Sequence, residues 1–597
     1  MTFPLKYPSI PIAQLVVRLC AHFEVQHVVI CAGSRNAPLT NGFLANPYFE
    51  CYSIIDERAA AFFALGMAQQ LKKPVAIVCT SGSALLNFYP AIAEAFYSDI
   101  PIVALSADRM PHRIDIGDGQ TIRQNGVFEP HLVAAANLKP DVIHATPTIL
   151  QNPMQNIIPQ NASKSKIQEI QTAIESYNLE EIIRVLRTAI QMKGPVHLNI
   201  PMEEPLYEMT KKGLSIEVPP QKIQLEDESK KLQEIKKIWH KEPRKWIIMG
   251  VMAPDAISDE GLKLICEDPS VVVLTETTSN NSHPKAIHSI DTLMAPLELM
   301  QFELADKVKP DIIITFGGMI VSKKVKQFLR TYSPESHWHI DNKKAYNTFY
   351  CLKEHVKMHP DAFILELYKN ASHQPSDFHA EVNEIYSQFK RRGRSYLDNI
   401  SFSDLKVFDF IAQTIEGTYQ IQIANSSAIR YSQLMDWSPK IQFFCNRGTS
   451  GIDGSTATAI GAAQITTMPT LLITGDLSFF YDVNGLWNDY IPPSFRILLI
   501  NNQGGGIFRI LPGEKDSPNY DRYFETIHQR EAKNIAKAFG FKYTKASSMW
   551  SLKRKFKRFL QNSSQPKILE LQTPRKINDR ILLDYFIAMK KVYSLKK

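Results

Sequence analysis

Two loops in the C-terminal third of the chain carry oxygen donors at a spacing that suits a metal ion. Leu472-Ile-Thr-Gly475 runs into Asp476-Leu477-Ser478, and Ile497-Leu-Leu-Ile500 runs into Asn501-Asn502-Gln503-Gly504. Each is an apolar run that stops at a polar, glycine-bearing turn, the pattern of a buried parallel strand meeting its loop. Asp476 and Asn502 lie 26 positions apart, enough for strand, helix and strand, which returns the chain to the same sheet edge beside its starting point. A carboxylate, a carboxamide and a glycine carbonyl are hard donors suited to Mg²⁺, with water and phosphate oxygens completing the octahedron. Gly-Asp or Asn-Asn alone would read as an ordinary turn; the paired spacing between two apolar strands is what carries the metal reading. A second group is cationic. Arg35, Arg109, Arg123, Arg430 and Arg447 stand in loops, with Lys323-Lys324 in the middle of the chain. One loop arginine is usually a surface residue, but guanidinium forks grip carboxylates in a bidentate way, and this many at strand ends point to polyanionic substrates.

The elements that must position these residues are short β-branched runs alternating with amphipathic helices. In residues 1–208 they include His27-Val-Val-Ile-Cys31, Pro74-Val-Ala-Ile-Val-Cys79, Pro101-Ile-Val-Ala-Leu105 and Gly194-Pro-Val-His-Leu-Asn-Ile-Pro201. A charged stretch around Glu226–Lys231 marks a linker or surface helix. A second unit follows with strands Lys245–Met249, Val271–Leu274 and Asp311–Phe316. After the polar stretch 372–401, a third has strands near Tyr419–Ala424, Ile441–Cys445, Thr470–Thr474, Phe495–Ile500 and Lys567–Leu571. The fold class is therefore α/β, three doubly wound parallel-sheet domains at 1–208, 209–380 and 381–597. The Gln/Asn/Ser-rich segment Gln151–Lys166 reads as a peripheral loop or insertion.

Bulk properties exclude several classes. A chain of 597 residues exceeds what one core sustains. Its 44% hydrophobic and 21% charged residues are ordinary for a globular protein, and no apolar run could cross a bilayer. The N-terminus lacks a secretory signal, so a cytoplasmic enzyme is expected. Seven scattered cysteines without a C-x-x-C pair argue against zinc or disulfides. The charge of +8 is modest, and the basic run Lys553–Arg558 has helical spacing with apolar residues opposite, a solvated face rather than a nucleic-acid patch.

Gly475-Asp476-Leu477 with Asn501-Asn502 resembles the binding motif of thiamine diphosphate enzymes, G-D-x followed one strand, helix and strand later by N-N. The resemblance implies Mg²⁺ or Mn²⁺ held by Asp476, Asn502 and the Gly504 carbonyl, with cofactor contacts at Thr80, Ser81, Gly82 and Ser478. Such an enzyme needs a carboxylic acid at the aminopyrimidine ring, and Glu57 in Ile54-Ile-Asp-Glu-Arg-Ala-Ala-Ala-Phe-Phe is the candidate. In that family the glutamate reaches the cofactor from a neighbouring subunit, so a dimer or tetramer is implied. Further motifs resemble the family's menaquinone-pathway branch, among them Ala32-Gly-Ser-Arg-Asn-Ala-Pro-Leu39, Ala107-Asp-Arg109, Gln120-Thr-Ile-Arg-Gln124, Asn446-Arg-Gly-Thr-Ser-Gly-Ile-Asp-Gly454 and Gly475-Asp-Leu-Ser-x-x-Tyr-Asp482. Leu477 replaces the motif's common glycine, a departure that branch shares. By the resemblance the donor is 2-oxoglutarate, held by Ser426, Arg430 and Arg447. The acceptor is isochorismate, near Ser34, Arg35, Arg109, Gln120, Lys323 and Lys324, where Lys324 stands in place of an expected arginine. Ile452 would bend the cofactor, and Ile507 with Phe508 would wall the reacting carbon; apolar residues of this kind otherwise read as plain core. The rivals are an acetolactate synthase-like carboligase, an inactive paralogue, and a Rossmann oxidoreductase, for which no strand is followed by G-x-G-x-x-G.

Overall fold

The computed structural model describes residues 6–151, 157–220, 228–370, 375–510 and 517–590. It contains three all-parallel sheets and a short antiparallel pair, Tyr7–Pro8 with Met209–Thr210. The chain divides into two compact units. The first comprises residues 1–222, 446–467 and 480–495; the second comprises 223–445, 468–479 and 496–597.

The first unit is built on a six-stranded sheet in the order Glu50–Ser53, His27–Ile30, Val75–Cys79, Ile102–Asp108, Val196–Pro201, Ala134–Asn137. Val75–Cys79 and Ile102–Asp108 are buried throughout, as central parallel strands covered on both faces must be. The helix Glu57–Leu71 crosses the helix Ser455–Ile465 at glycines: a Cβ at Gly66 would stand 2.0 Å from the Thr458 carbonyl oxygen, and one at Gly461 would stand 1.9 Å from that of Phe63. The two backbones approach closely because both positions lack a side chain.

The second unit holds the other two sheets. One runs Val271–Thr275, Lys245–Met249, Ile312–Phe316, Ser336–Ile340, Leu352–Val356; the other runs Ile441–Phe444, Tyr419–Ile423, Thr470–Gly475, Arg496–Asn501, Lys567–Gln572, Lys542–Ala546. Numbered within its own sheet, the latter has the same strand order as the first unit's sheet, 2-1-3-4-6-5. In such an order the crevice between strands 1 and 3, at their carboxyl ends, is where ligands enter. Those ends carry Ala32–Arg35 and Thr80–Gly82 in one sheet, and Asn425–Ser426 and Asp476 in the other. The polar stretch before the third sheet forms the helix Phe378–Asn399, which spans the boundary drawn at 380 and packs on Asn578–Lys590; residues 371–374 lie outside the described residues. The basic run sits in Met549–Leu560, where Leu552, Phe556 and Phe559 are buried and Lys553, Arg554, Lys557 and Arg558 are exposed, as the amphipathic reading expects. Gln151 ends one helix and Lys164 begins the next; residues 152–156 of that segment, and 221–227 of the charged stretch before Ser229–Trp239, lie outside the described residues. All seven cysteines are free, and no described helix is long and apolar enough to cross a membrane.

The strand Ser336–Ile340 was not anticipated, and its histidines explain why. His337 Nε2 and His339 Nδ1 flank Thr315 Oγ1 at 2.8 and 2.7 Å inside the sheet. Burial pushes the two imidazoles down to about 3 and about 4. A histidine whose folded-state value lies below its unfolded one stabilises the fold above about pH 6.5, and that contribution is lost as pH falls, because the unfolded chain takes up the proton first. Between pH 7 and 5 each histidine is expected to cost about 2 kcal/mol. Calorimetric Tm values of wild type and H337Q/H339Q at both pH values check this: the double variant should lose less Tm on acidification, and an equal loss would remove these histidines as the cause.

Candidate active site

In the second unit, Asp476 follows the strand Thr470–Gly475 directly and opens the helix Asp476–Tyr481. It is buried, and its carboxylate accepts the amide N–H of Leu477 at 2.7 Å and of Gly504 at 3.0 Å. Asn502, one residue past the adjacent strand Arg496–Asn501, is buried as well. Its Nδ2 donates to Asp404 Oδ2 at 2.9 Å. Because Gly475 pairs with Ile500, Asp476, Asn502 and Gly504 lie at the ends of adjacent parallel strands, as the spacing predicts. Gly504 has φ of 153°, and a Cβ there would meet the Glu525 carbonyl oxygen at 2.7 Å, which leaves the backbone as that position's donor. The donors are all oxygen, the chemistry of Mg²⁺ or Mn²⁺ rather than of a soft metal. Among the described residues no cluster of three His, Cys, Asp or Glu could hold a metal; a site here would depend instead on an amide and a carbonyl.

Sequence reasoning missed two neighbours of this loop. His528 Nε2 lies 3.4 Å from Asp476 Oδ2. Asp404, in the first turn of Asp404–Thr414, is buried, and burial raises its carboxyl to about 6. The segment 520–530 that brings in His528 is fastened by Glu525, which is fully buried and paired with Arg509 and Arg575. Ile507 and Phe508 occupy the short helix Ile507–Ile510 and are half-buried, and Ser478 is buried.

The same unit gathers Lys323, Lys324, Ser426 and Arg430. Ser426 ends the connection from Tyr419–Ile423 with φ of 71°, a backbone strain of the kind concentrated at functional turns. Arg430 Nη1 donates to the Ser426 carbonyl at 2.7 Å. Lys323 is exposed at the start of Lys323–Thr331. Lys324 is ion-paired with Glu298, so its charge already has a partner within the chain. Burial holds the Asp291 carboxyl above the usual range, opposed by Ser322, Lys324 and Arg430, which places both cations beside one acid. The loop before Lys323 is pinned by Glu276, whose carboxylate accepts the Val321 and Ser322 amide N–H groups, each at 2.7 Å.

In the first unit, Glu57 is the first residue of its helix, capped by Asp56, which accepts the Ala59 N–H at 2.9 Å and the Asn484 amide at 2.7 Å. Thr80, Ser81 and Gly82 follow Val75–Cys79. Ser81 Oγ donates to the Gln120 carbonyl at 2.8 Å, and the Gly82 N–H donates to Gln124 Oε1 at 2.9 Å. The Thr80 hydroxyl is buried without a partner, a polar atom available to a ligand. Arg109 Nε donates to the Gly119 carbonyl at 3.1 Å. Arg35 is buried and donates to the Met202 carbonyl at 3.2 Å and to Glu204 at 2.9 Å. Burial, then the Arg109 charge, lowers the Arg35 guanidinium. Ser34 and Gln120 are exposed on the loops beside them, and Arg123 points outward to Asp115 at 2.8 Å.

Arg447 and Ile452 lie on the segment 446–454 of this unit. It is held by buried Glu94, which accepts the Gly448 and Thr449 amide N–H groups at 2.8 and 2.6 Å. Asp482, also buried, accepts the Thr456 and Ala457 N–H groups at 2.8 and 3.0 Å and anchors the helix that follows. Ile452 is 39% exposed, which sets aside a plain core role. Glu94 was not legible as a partner, because it acts on residues more than 350 positions along the chain.

Known proteins match this arrangement. The model "Thiamine pyrophosphate enzyme, N-terminal TPP binding domain" matches residues 10–130, and "Middle domain of thiamine pyrophosphate" matches 221–421. The chain is 49% identical over 591 residues to the 2-succinyl-5-enolpyruvyl-6-hydroxy-3-cyclohexene-1-carboxylate synthase of Christiangramia forsetii, covering 98% of this chain and 100% of that one. It is 48% identical to the synthase of the same name from Flavobacterium johnsoniae, covering 97% and 99%, and 33% identical to that of Bacteroides fragilis, covering 97% and 99%. A Rhodococcus jostii thiamine diphosphate-dependent 4-hydroxybenzoylformate decarboxylase shares the fold at TM-score 0.65 and 13% identity, covering 94% of this chain and 99% of that one. Identity at this level over the full length of both chains settles the family: this chain belongs to the 2-succinyl-5-enolpyruvyl-6-hydroxy-3-cyclohexene-1-carboxylate synthases, thiamine diphosphate-dependent enzymes of the transferase class.

Proposed function

We propose that the chain joins 2-oxoglutarate, with loss of CO₂, to isochorismate by 1,4-addition, as a step of menaquinone biosynthesis in the cytoplasm. The observation that carries this reading is the pair Arg35 and Arg109, two like charges close enough for one to disfavour the other, at strand ends beside the Thr80–Gly82 loop. Such a pair is stabilised when a polycarboxylate binds.

Asp476, Asn502 and the Gly504 carbonyl would hold Mg²⁺ or Mn²⁺ against the diphosphate, and Thr80, Ser81, Gly82 and Ser478 would line the cofactor. Bound thiamine diphosphate supplies the nucleophilic carbon and the electron sink for decarboxylation. Glu57 holds a proton at the pyrimidine nitrogen. Ser426, Arg430 and Arg447 orient the donor carboxylate. Ser34, Arg35, Arg109, Gln120 and Lys323 hold the acceptor, whose carboxylates compete with Glu204 for Arg35 and with Glu298 for Lys324. Ile452, Ile507 and Phe508 exclude water around the reacting carbon.

We assign completion of the site to a second copy of the chain, as the resemblance to the thiamine diphosphate family implies. Beside Glu57, the first unit leaves Ile55 and Tyr481 more than half exposed, apolar surface suited to a dimer contact.

The test is to incubate the protein with thiamine diphosphate, Mg²⁺ and 2-oxoglutarate, with and without isochorismate. CO₂ release and loss of the isochorismate diene absorbance should proceed together and stop without the cofactor. CO₂ release that ignores isochorismate, with the diene unchanged, would overturn the assignment.

A further inference from the structure

The geometry points to Asp404 as a positioning residue that sets the orientation of the Asn502 amide so that its Oδ1 faces the metal. A carboxamide binds a hard cation through oxygen only, and its oxygen and nitrogen have nearly the same shape. A 180° flip of the Asn502 amide would therefore turn a ligand into a repulsive N–H donor. What fixes the amide is its other partner. Asp404 is 2% exposed, and as a carboxylate it can only accept, so the amide must turn Nδ2 toward it, which it does at 2.9 Å.

Besides Asn502, two residues hold Asp404. Its Oδ1 accepts the Thr573 hydroxyl at 2.6 Å, its backbone N–H donates to Asn578 Oδ1 at 2.9 Å, and the Asn578 amide donates to the Pro574 carbonyl at 2.8 Å. Thr573 in turn donates its N–H to the Asn501 carbonyl at 3.1 Å. The start of the helix Asp404–Thr414, the end of Arg496–Asn501 and the end of Lys567–Gln572 thus converge on one carboxylate whose other oxygen meets Asn502. Partners of this kind behind metal ligands typically change metal affinity about 10- to 100-fold when altered.

This inference rests on the metal reading of Asp476, Asn502 and Gly504, and the experiment separates the two. Mg²⁺ affinity is measured by calorimetric titration in the presence of thiamine diphosphate for wild type, D476A, D404N and D404N/N502D, with circular dichroism and Tm as folding controls. D404N keeps the shape but offers an N–H that invites Asn502 to flip, and should weaken Mg²⁺ binding about 10- to 100-fold. In D404N/N502D the new amide donates to a carboxylate that presents oxygen to the metal in either orientation, and affinity should return to within about fivefold of wild type. D404N at wild-type affinity, or a folded double variant that stays weak, overturns the proposal while D476A still abolishes binding. Should D404N alone fail to fold, the double variant decides in the same way. Unchanged affinity in D476A would instead remove the metal site itself.

Discussion

Glu57→Gln is expected to lower turnover by about 10²- to 10⁴-fold while thiamine diphosphate still binds. The side chain stands at the first position of a helix whose cap is fixed from two sides: Asp56 accepts from Ala59 within the helix and from Asn484 beyond it. The next residue, Arg58, donates to the Tyr481 carbonyl at 3.1 Å, so the helix start is held around Glu57. Glutamine preserves shape and hydrogen-bonding reach but cannot hand over or take back a proton, so the loss should fall on kcat and not on cofactor affinity. Steady-state kinetics with calorimetric titration of the cofactor measures both. Activity within tenfold of wild type would take Glu57 out of the proton-holding role, and loss of cofactor binding would make its role one of binding.

Gly461→Val is expected to destabilise the first unit by about 3 kcal/mol or more, a fall in Tm of about 6–12 °C. The obstruction is a backbone oxygen, that of Phe63, 1.9 Å from where the new Cβ would sit, with the reciprocal contact at Gly66 against Thr458. Neither helix can yield by rotating a side chain, so the crossing must open, and it is this crossing that holds the helix bearing Glu57. Gly119→Ala is the control, since nothing lies within 4 Å of a Cβ there and its backbone is not left-handed. Differential scanning calorimetry should show a large shift for the first and almost none for the second. Equal Tm values would mean that the helices are not locked at this crossing.

What could be read from sequence follows from how deeply each strand is buried: Val271–Thr275 is a sheet edge but buried throughout, and its apolar run was legible. Central strands such as Val75–Cys79 and Arg496–Asn501 are buried on both sides and announce themselves as apolar runs. Glu50–Ser53, Ala134–Asn137, Leu352–Val356 and Lys542–Ala546 are sheet edges; ECYS, LKEHV and KYTKA show no such run, because an edge facing solvent gains from polar residues. Ser336–Ile340 lies inside its sheet but is hidden by two histidines that burial keeps neutral.

The grouping of Asp476, Asn502 and Gly504 was legible for a related reason: Asp476 directly follows one apolar strand and Asn502 and Gly504 lie within three residues of the end of its neighbour, so spacing along the chain reports proximity in space. Asp404 meets Asn502 across 98 positions, and Glu94 meets the Arg447 loop across more than 350. No local pattern marks such carboxylates, and only the folded chain shows which loops they hold. The intrachain partners of Arg35 and Lys324 were hidden in the same way. Each cation has an internal carboxylate that, under the proposed function, a substrate carboxylate would have to displace.

The most direct test of the account is the identity of the product. With thiamine diphosphate, Mg²⁺, 2-oxoglutarate and isochorismate, mass spectrometry should find one new compound with the composition of the two substrates less CO₂, absent when any component is omitted. A four-carbon aldehyde as the only product, or a product that contains no isochorismate carbon, would contradict it.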